Sequence, residues 1–354
     1  MTSPESVQPS TQRPFWRSPR SLLYAIALLF LAIVLWRSKF WESGDAIGNI
    51  DALDLVLVPL LSLALLVPLA LRQRAILGAL GYRFSARSLA PISYYGNTVG
   101  FMTPAASGEV LRPSLFRRTF GVPTAQGVGI VLFERLFSFY LLGLSCLLAL
   151  SWTGAAPGWV GPVALPMMIA ACLAPSAFVA LAPTLNNRLP ARRLGNLVPH
   201  RIRDRIGEQV KESGSTLSRL WLNATVVAFF IALSAITFLV MAIQFWLIPE
   251  ALGQDISLQE AWVVLTAGAM AGFLSGLPLG LGATDAVMLS LLKAYGVETT
   301  EAGQIVILTR VLINLPGGLF GLAAYLLAVR QKPAGTPATP VARFAAASLG
   351  RDTE

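Results

Sequence analysis

The residues best suited to chemistry in this chain are ionisable side chains set into otherwise apolar sequence. Arg135 lies eleven residues beyond Thr124 in an apolar run that continues to Leu150, about 16 Å along a helix at the usual rise. That depth is near the middle of a hydrocarbon layer about 30 Å thick, too deep to snorkel comfortably. Arg310 sits at an equivalent depth in the run from Ala302 to Val329. Glu134 is the neighbour of Arg135, but adjacent residues on a helix point apart, so the two are expected to serve different partners. Glu109 and Arg112 close one interrupted apolar stretch, and Asp285 reopens another. Ionisable groups inside a membrane are costly and usually functional. Two arginines beside half-helix N-termini, which favour anions, suit a phosphate-bearing headgroup. The acids either balance the arginines or carry protons. A structural alternative is that they lock the bundle as ion pairs, for example Glu109 with Arg310 and Asp285 with Arg135. The candidate binding or translocation set is Asn97, Pro104, Gly108, Glu109, Arg112, Glu134, Arg135, Pro278, Gly280, Gly282, Asp285 and Arg310.

Such residues need elements that hold them at depth. Of 354 residues, 55% are apolar and 13% charged, and the apolar residues come in blocks. Blocks of about 17–25 apolar residues match a membrane-spanning helix. They run Ser21–Trp36, Ala52–Leu71, Thr124–Leu150, Trp159–Ala182, Trp221–Ile248, Trp262–Leu277 and Ala302–Val329. Backbone polar groups in lipid must be satisfied internally, leaving helices or closed barrels. Barrel strands alternate over about ten residues, and these runs are too long and continuous for that. The expected fold is all-α, a polytopic transmembrane helical bundle.

The polar segments sort by charge. Residues 1–20, 72–87, 184–219 and 330–354 are basic, whereas 37–54 and 250–260 are acidic. The positive-inside rule then places both termini in the cytoplasm, with the chain multi-pass in the cytoplasmic (inner) cell membrane. The net charge of +9 belongs with these loops and anionic lipid rather than with nucleic acid. Arg13, Arg17 and Arg20 precede an apolar run that ends Trp36-Arg37-Ser38-Lys39 without a small-residue cleavage site. The reading is an uncleaved first span. Within 184–219, Ile202, Ile206, Val210, Leu217 and Leu220 recur mostly at helical spacing among arginines, predicting an amphipathic helix on the cytoplasmic surface. Residues 72–88 are a second candidate for such a helix. Trp36, Trp41, Trp159, Trp221, Trp246 and Trp262 near span ends read as interfacial anchors.

Two segments break the pattern. Residues 89–110 are apolar but interrupted by Asn97, Gly100, Pro104, Gly108 and Glu109, with basic flanks on both sides. Residues 261–300 hold an apolar helix, a break at Gly276-Leu-Pro-Leu-Gly-Leu-Gly282, then Asp285 and a short helix, between acidic flanks. Both read as re-entrant or broken helices, which persist at membrane depth where they line a cavity or are buried in protein. An acid, a Gly-Val pair and an arginine follow in the same order in each half. Gly121 to Arg135 and Gly296 to Arg310 are both intervals of fourteen residues. Halves of about 89–150 and 261–329 entering from opposite faces make inverted repeats, a plan common in transporters with a midplane site. The domain reading is a cytoplasmic tail 1–20, a transmembrane domain 21–330 and a disordered cytoplasmic tail 331–354.

The run Asn97-x6-Pro104-x3-Gly108-Glu109-x2-Arg112, followed by Glu134-Arg135, resembles the lysylphosphatidylglycerol synthase/flippase transmembrane-domain family. Pro278-x-Gly280-x-Gly282-x2-Asp285 followed by Arg310 is similar to that family's second signature. The resemblance covers roughly residues 20–330 and implies a polytopic helical domain associated with moving lipids or lipid-linked molecules between leaflets. Ser107-Gly108-Glu109 departs from the family's usual Gly-Gly-Glu, and Asp285 stands where Glu is usual, shortening the carboxylate's reach. Full-length synthases carry a soluble C-terminal aminoacyl-transfer domain. This chain ends at Glu354, so synthesis of aminoacylated lipid is not expected.

Cys146 and Cys172 lie within apolar runs and form no disulfide framework. His200 is the lone histidine, without ligand partners at metal spacing. No metal, cofactor or Gly-x4-Gly-Lys-Ser/Thr loop is expected. The leading expectation is a non-enzymatic, flippase-like transporter of an anionic phospholipid or lipid-linked substrate, its partners being membrane lipids. A membrane enzyme acting on lipid-linked phosphates or sugars lacks the histidines that phosphatase chemistry would use. A non-transporting lipid-binding subunit of a biosynthetic complex, or a homo-oligomer, is left open.

Overall fold

A computed structural model describes residues 51–102, 109–153 and 200–331, with side chains omitted at 99–102, 152–153, 200–206 and 278. The expected spans Ser21–Trp36 and Trp159–Ala182, Cys172, the tail beyond 331, and the site residues Pro104 and Gly108 lie outside the described residues. What is described is helical, with no strand among the described residues.

The apolar run that opens at Ala52 continues as helix past Leu71. Helix α1 (Ala52–Ala64) leads through Leu65, itself in right-handed helical conformation, into α2 (Leu66–Ala79). Pro68 falls in the first turn of α2, where its missing N–H has no intrahelical acceptor to lose. The turn that stops α2 is Leu80-Gly81, with Gly81 at φ 92°. Residues 72–79 thus belong to a spanning helix, which corrects the reading of 72–88 as a surface helix. The arginines there had marked the apparent end of the apolar run.

Next come α3 (Ala86–Met102) and α4 (Leu111–Phe120). Gly121 closes α4 in the left-handed conformation, with its N–H on the Arg117 carbonyl and that of Val122 on Phe116, a Schellman-type stop. Helix α5 (Thr124–Thr153) carries Glu134 and Arg135. Helices α6 (His200–Trp221) and α7 (Ala224–Ala251) are separated by Asn223, whose side chain caps Val226 N–H at 3.1 Å. Helix α8 (Leu258–Ser275) starts from a reciprocal box of Ser257 and Glu260. The break after it is as the glycines predict: Gly276 left-handed, a tight turn at Pro278–Gly280, then α9 (Ala283–Ala294). Helix α10 (Thr299–Leu308) runs through a π-helical segment, Thr309–Asn314, into α11 (Leu315–Arg330).

Four runs are long and apolar enough to cross a membrane: Ala52–Ala79, Thr124–Ser151, Ala224–Ala251 and Thr299–Arg330. They present leucine, valine and phenylalanine outward, including Val67, Leu148, Phe229 and Leu319. Two apolar clusters lie inside. One joins Phe133, Phe137 and Phe230, with edge-to-face contacts of the latter two and Trp221. The other gathers Phe245, Val264, Leu292 and Ile305.

Helix α6 has the expected amphipathic pattern, and the C-terminal end of its stripe is covered by protein. Leu217 and Leu220 are buried while Val210 is exposed, and Ser213 Oγ donates to the Ala125 carbonyl of α5 at 2.8 Å. The two helices meet at Gly129, where a Cβ would stand 2.6 Å from the Ser213 carbonyl and 2.7 Å from Thr216 Cβ. Gly129→Ala is therefore expected to destabilise the protein by about 1–3 kcal/mol through overpacking. Gly214→Ala, with open space at its Cβ, should be neutral or slightly stabilising. Melting midpoints in detergent compare the two; equal midpoints would refute the close α5–α6 contact. The tryptophan indoles also find partners in the protein. Trp246 donates to the Ile256 carbonyl at 2.8 Å and Trp262 to Ser145 Oγ at 2.7 Å.

Candidate functional site

Two ion-pair clusters lie on the two segments that break the apolar pattern; the break expected at 103–108 lies outside the described residues. In the first, Glu109 stands in the turn leading into α4 and Arg112 in that helix's first turn. Arg112 is 3% exposed, so it needs partners for its charge and its N–H groups. Nη1 lies 3.2 Å from Glu109 Oε2 and 2.7 Å from Glu134 Oε2, and Nη2 donates to Gln73 Oε1 at 2.8 Å. Arg135 reaches from α5 to Glu109 Oε1 and to the Gly96 carbonyl of α3, the latter at 2.6 Å. Glu134 and Arg135 do serve different partners. Their adjacent positions on one helix bring them to opposite sides of the same network.

Gly96 makes that network possible. A Cβ there would stand 2.2 Å from Arg112 Nε and 2.5 Å from its Cζ, so the guanidinium lies directly on the α3 backbone.

The second cluster repeats the plan with fewer parts. Arg310 Nε and Nη2 donate to Asp285 Oδ1 at 2.9 and 2.6 Å, and Nη1 donates to the Leu279 carbonyl at 2.8 Å. Asp285 is fully buried, and its Oδ2 accepts the Gly282 N–H at 2.8 Å. Its aspartate length fits both tasks, capping α9 and holding Arg310. In each half, then, an arginine binds an acid about 25 residues earlier (26 for Glu109–Arg135, 25 for Asp285–Arg310) and one backbone carbonyl of an interrupted element.

These pairings correct the cross-half arrangement of Glu109 with Arg310 and Asp285 with Arg135. Each half satisfies its own charges. Sequence gives depth and order, whereas the choice of partner depends on which helices touch.

The clusters border one cavity of about 230 Å³. Arg112, Glu134, Arg135, Arg310 and Asn97 contribute polar wall. Leu69, Phe139, Phe238, Met241 and Phe273 contribute apolar wall. Gly280 and Gly282 act through the backbone: Gly280 presses on Gly272 and Gly282 caps into Asp285. Pro278 opens the turn that carries Leu279. Arg72 also lines the cavity, from α2, and the sequence reading missed it by placing it in the basic segment 72–87, outside the apolar run. Its signal was an arginine directly after the apolar run, with no Gly or Pro between Leu69 and Leu77 to end the helix. No cluster of three metal-ligating side chains occurs among the described residues.

Comparison with known proteins gives the same architecture a family. The model of the lysylphosphatidylglycerol synthase transmembrane region matches residues 21–321. A UPF0104 membrane protein from Methanothermobacter thermautotrophicus is 22% identical over 317 residues, covering 86% of this chain and 94% of the relative.

Proposed function

Because the chain belongs to the lysylphosphatidylglycerol synthase transmembrane-region family and is a multi-pass membrane protein, we propose that it is a flippase-like carrier. It moves an anionic phospholipid or lipid-linked molecule between leaflets without altering it chemically. The observation that carries this reading is the mixed lining of the cavity: guanidinium groups from four arginines together with leucine, phenylalanine and methionine side chains. A soluble anion has no use for the apolar lining, and an acyl chain has none for the arginines. At about 230 Å³ the cavity is smaller than the roughly 300–1,000 Å³ of sites that enclose a drug-sized ligand. It suits a headgroup whose chains remain outside.

The like construction of the two arginine–acid pairs supports reading the halves as inverted repeats, with access alternating between them. The basic flanks support placing both termini in the cytoplasm and the protein in the inner cell membrane. The test is transport by the purified protein in liposomes bearing a labelled anionic lipid. Arg135→Ala and Arg310→Ala should each slow transfer at least ~10-fold, the loss expected for a charge-assisted hydrogen bond in a desolvated site. Both variants must first be shown to be folded by gel filtration. Normal transfer by both would remove these residues from the pathway.

A further inference from the structure

The charges around the cavity do not cancel. Arg112 and Arg135 are balanced by Glu109 and Glu134, and Arg310 is balanced by Asp285. Arg72 is the remaining cation, and it has no carboxylate partner among the described residues. Its contacts are a long hydrogen bond from Nη1 to Ser234 Oγ at 3.4 Å and a position 4.4 Å above the Phe230 ring. Its Nε is buried with no acceptor, as are those of Arg112 and Arg135, so the missing carboxylate is what sets Arg72 apart. Glu134, the carboxylate whose field bears most on it, is already held by Arg112 at 2.7 Å.

A part-buried guanidinium at the cavity, with one positive charge in excess and no carboxylate to balance it, favours an anion beside it. The group sits over the Phe230 ring and borders the cavity, where an oxygen ligand can reach it. A planar fork of N–H donors matches a phosphate. We propose that Arg72 is the anion anchor of the cavity and that it takes a phosphate ester bearing a single negative charge. The other three arginines are held by their carboxylates and line the path. This rests on the carrier reading above, and it adds both a residue and a charge: one net positive charge accommodates one net negative headgroup. A second ligand charge would face Glu134.

Binding of short-chain lipids to the purified full-length protein, followed by tryptophan fluorescence, tests this. Dihexanoyl phosphatidylglycerol carries one negative charge; dihexanoyl phosphatidic acid at pH 8.5 carries nearly two. Glycerophosphoglycerol offers the diester without chains. The wild type should bind the phosphatidylglycerol at least several-fold more tightly than the phosphatidic acid. Arg72→Gln should weaken phosphatidylglycerol binding at least ~10-fold, and Arg72→Lys should recover part of it. Glycerophosphoglycerol binding as tightly as the lipid would keep the anchor but assign it to a soluble ester, overturning the carrier reading. Unchanged binding by a folded Arg72→Gln overturns the anchor while the carrier reading stands, and equal or tighter binding of phosphatidic acid overturns the single charge. Absence of binding by the wild type to any of the three overturns both.

Discussion

Removing the Asp285 carboxylate is expected to be among the most damaging single changes in the protein. Asp285→Ala leaves the Arg310 guanidinium with only the Leu279 carbonyl as a partner and leaves the Gly282 N–H without its cap. Breaking a buried ion pair from one side typically costs about 3–5 kcal/mol, and an uncapped buried N–H adds about 1–3 kcal/mol. Loss of that size is large against the stability of most folded proteins. It should appear as a melting midpoint lowered by many degrees in detergent, or as failure to recover the protein. Stability alone does not separate a lock from a transport residue, so the double variant Asp285→Ala/Arg310→Met is the informative one. It removes both charges and fills part of the space, and buried pairs replaced by apolar groups are often tolerated. The double variant should regain most of the lost midpoint yet stay inactive in liposomes. Asp285→Ala with the wild-type midpoint would show that the pair bears no load, and a transporting double variant would show that it is only a lock.

The elements of this site were more legible than its contacts. The break at Gly276–Gly282 could be read because three glycines and a proline within seven residues cannot continue a helix, and the turn there has Gly276, Gly280 and Gly282 at positive φ. The depths of Arg135 and Arg310 followed from counting along apolar runs. Arg72 was not legible because a cation at the end of an apolar window looks like a cytoplasmic flank. The end of α2 is instead set at Gly81, two helical turns later. The ion-pair partners were misassigned for a different reason. Acid and base were known, but nothing in the sequence states that α4 abuts α5 or that α9 faces the π-helical segment bearing Arg310. That segment, Thr309–Asn314, has no local marker such as Gly or Pro within it, although π-bulges often occur at functional positions. The stripe on α6 was readable as a buried face, but whether lipid or protein covers it depends on Gly129, which sequence position alone does not pair with Ser213.

Gly280→Ala should be the second severe variant, and its damage should reach Arg310 without touching it. Gly280 has φ 60°, a conformation that costs a side-chain-bearing residue about 1–2 kcal/mol. Its Cβ would stand 2.6 Å from Gly272 Cα and 2.3 Å from Thr284 Oγ1. Thr284 can rotate, but the α8 backbone at Gly272 has no small movement available, so the turn itself must shift. Overpacking of this kind adds about 1–3 kcal/mol. The residue before it, Leu279, already holds φ 56° and supplies the carbonyl that binds Arg310. Moving the turn therefore withdraws an acceptor from the guanidinium while Asp285 stays in place. Transport should fall more than stability accounts for. Gly276→Ala is the control, since Gly276 has φ 63° with open space around its Cβ and should show the backbone cost alone. The two variants are compared by melting midpoint and by transfer rate at a temperature where both are folded. If Gly280→Ala proves no worse than Gly276→Ala in either measurement, the contact with Gly272 does not position Leu279, and the second cluster must be held by other means.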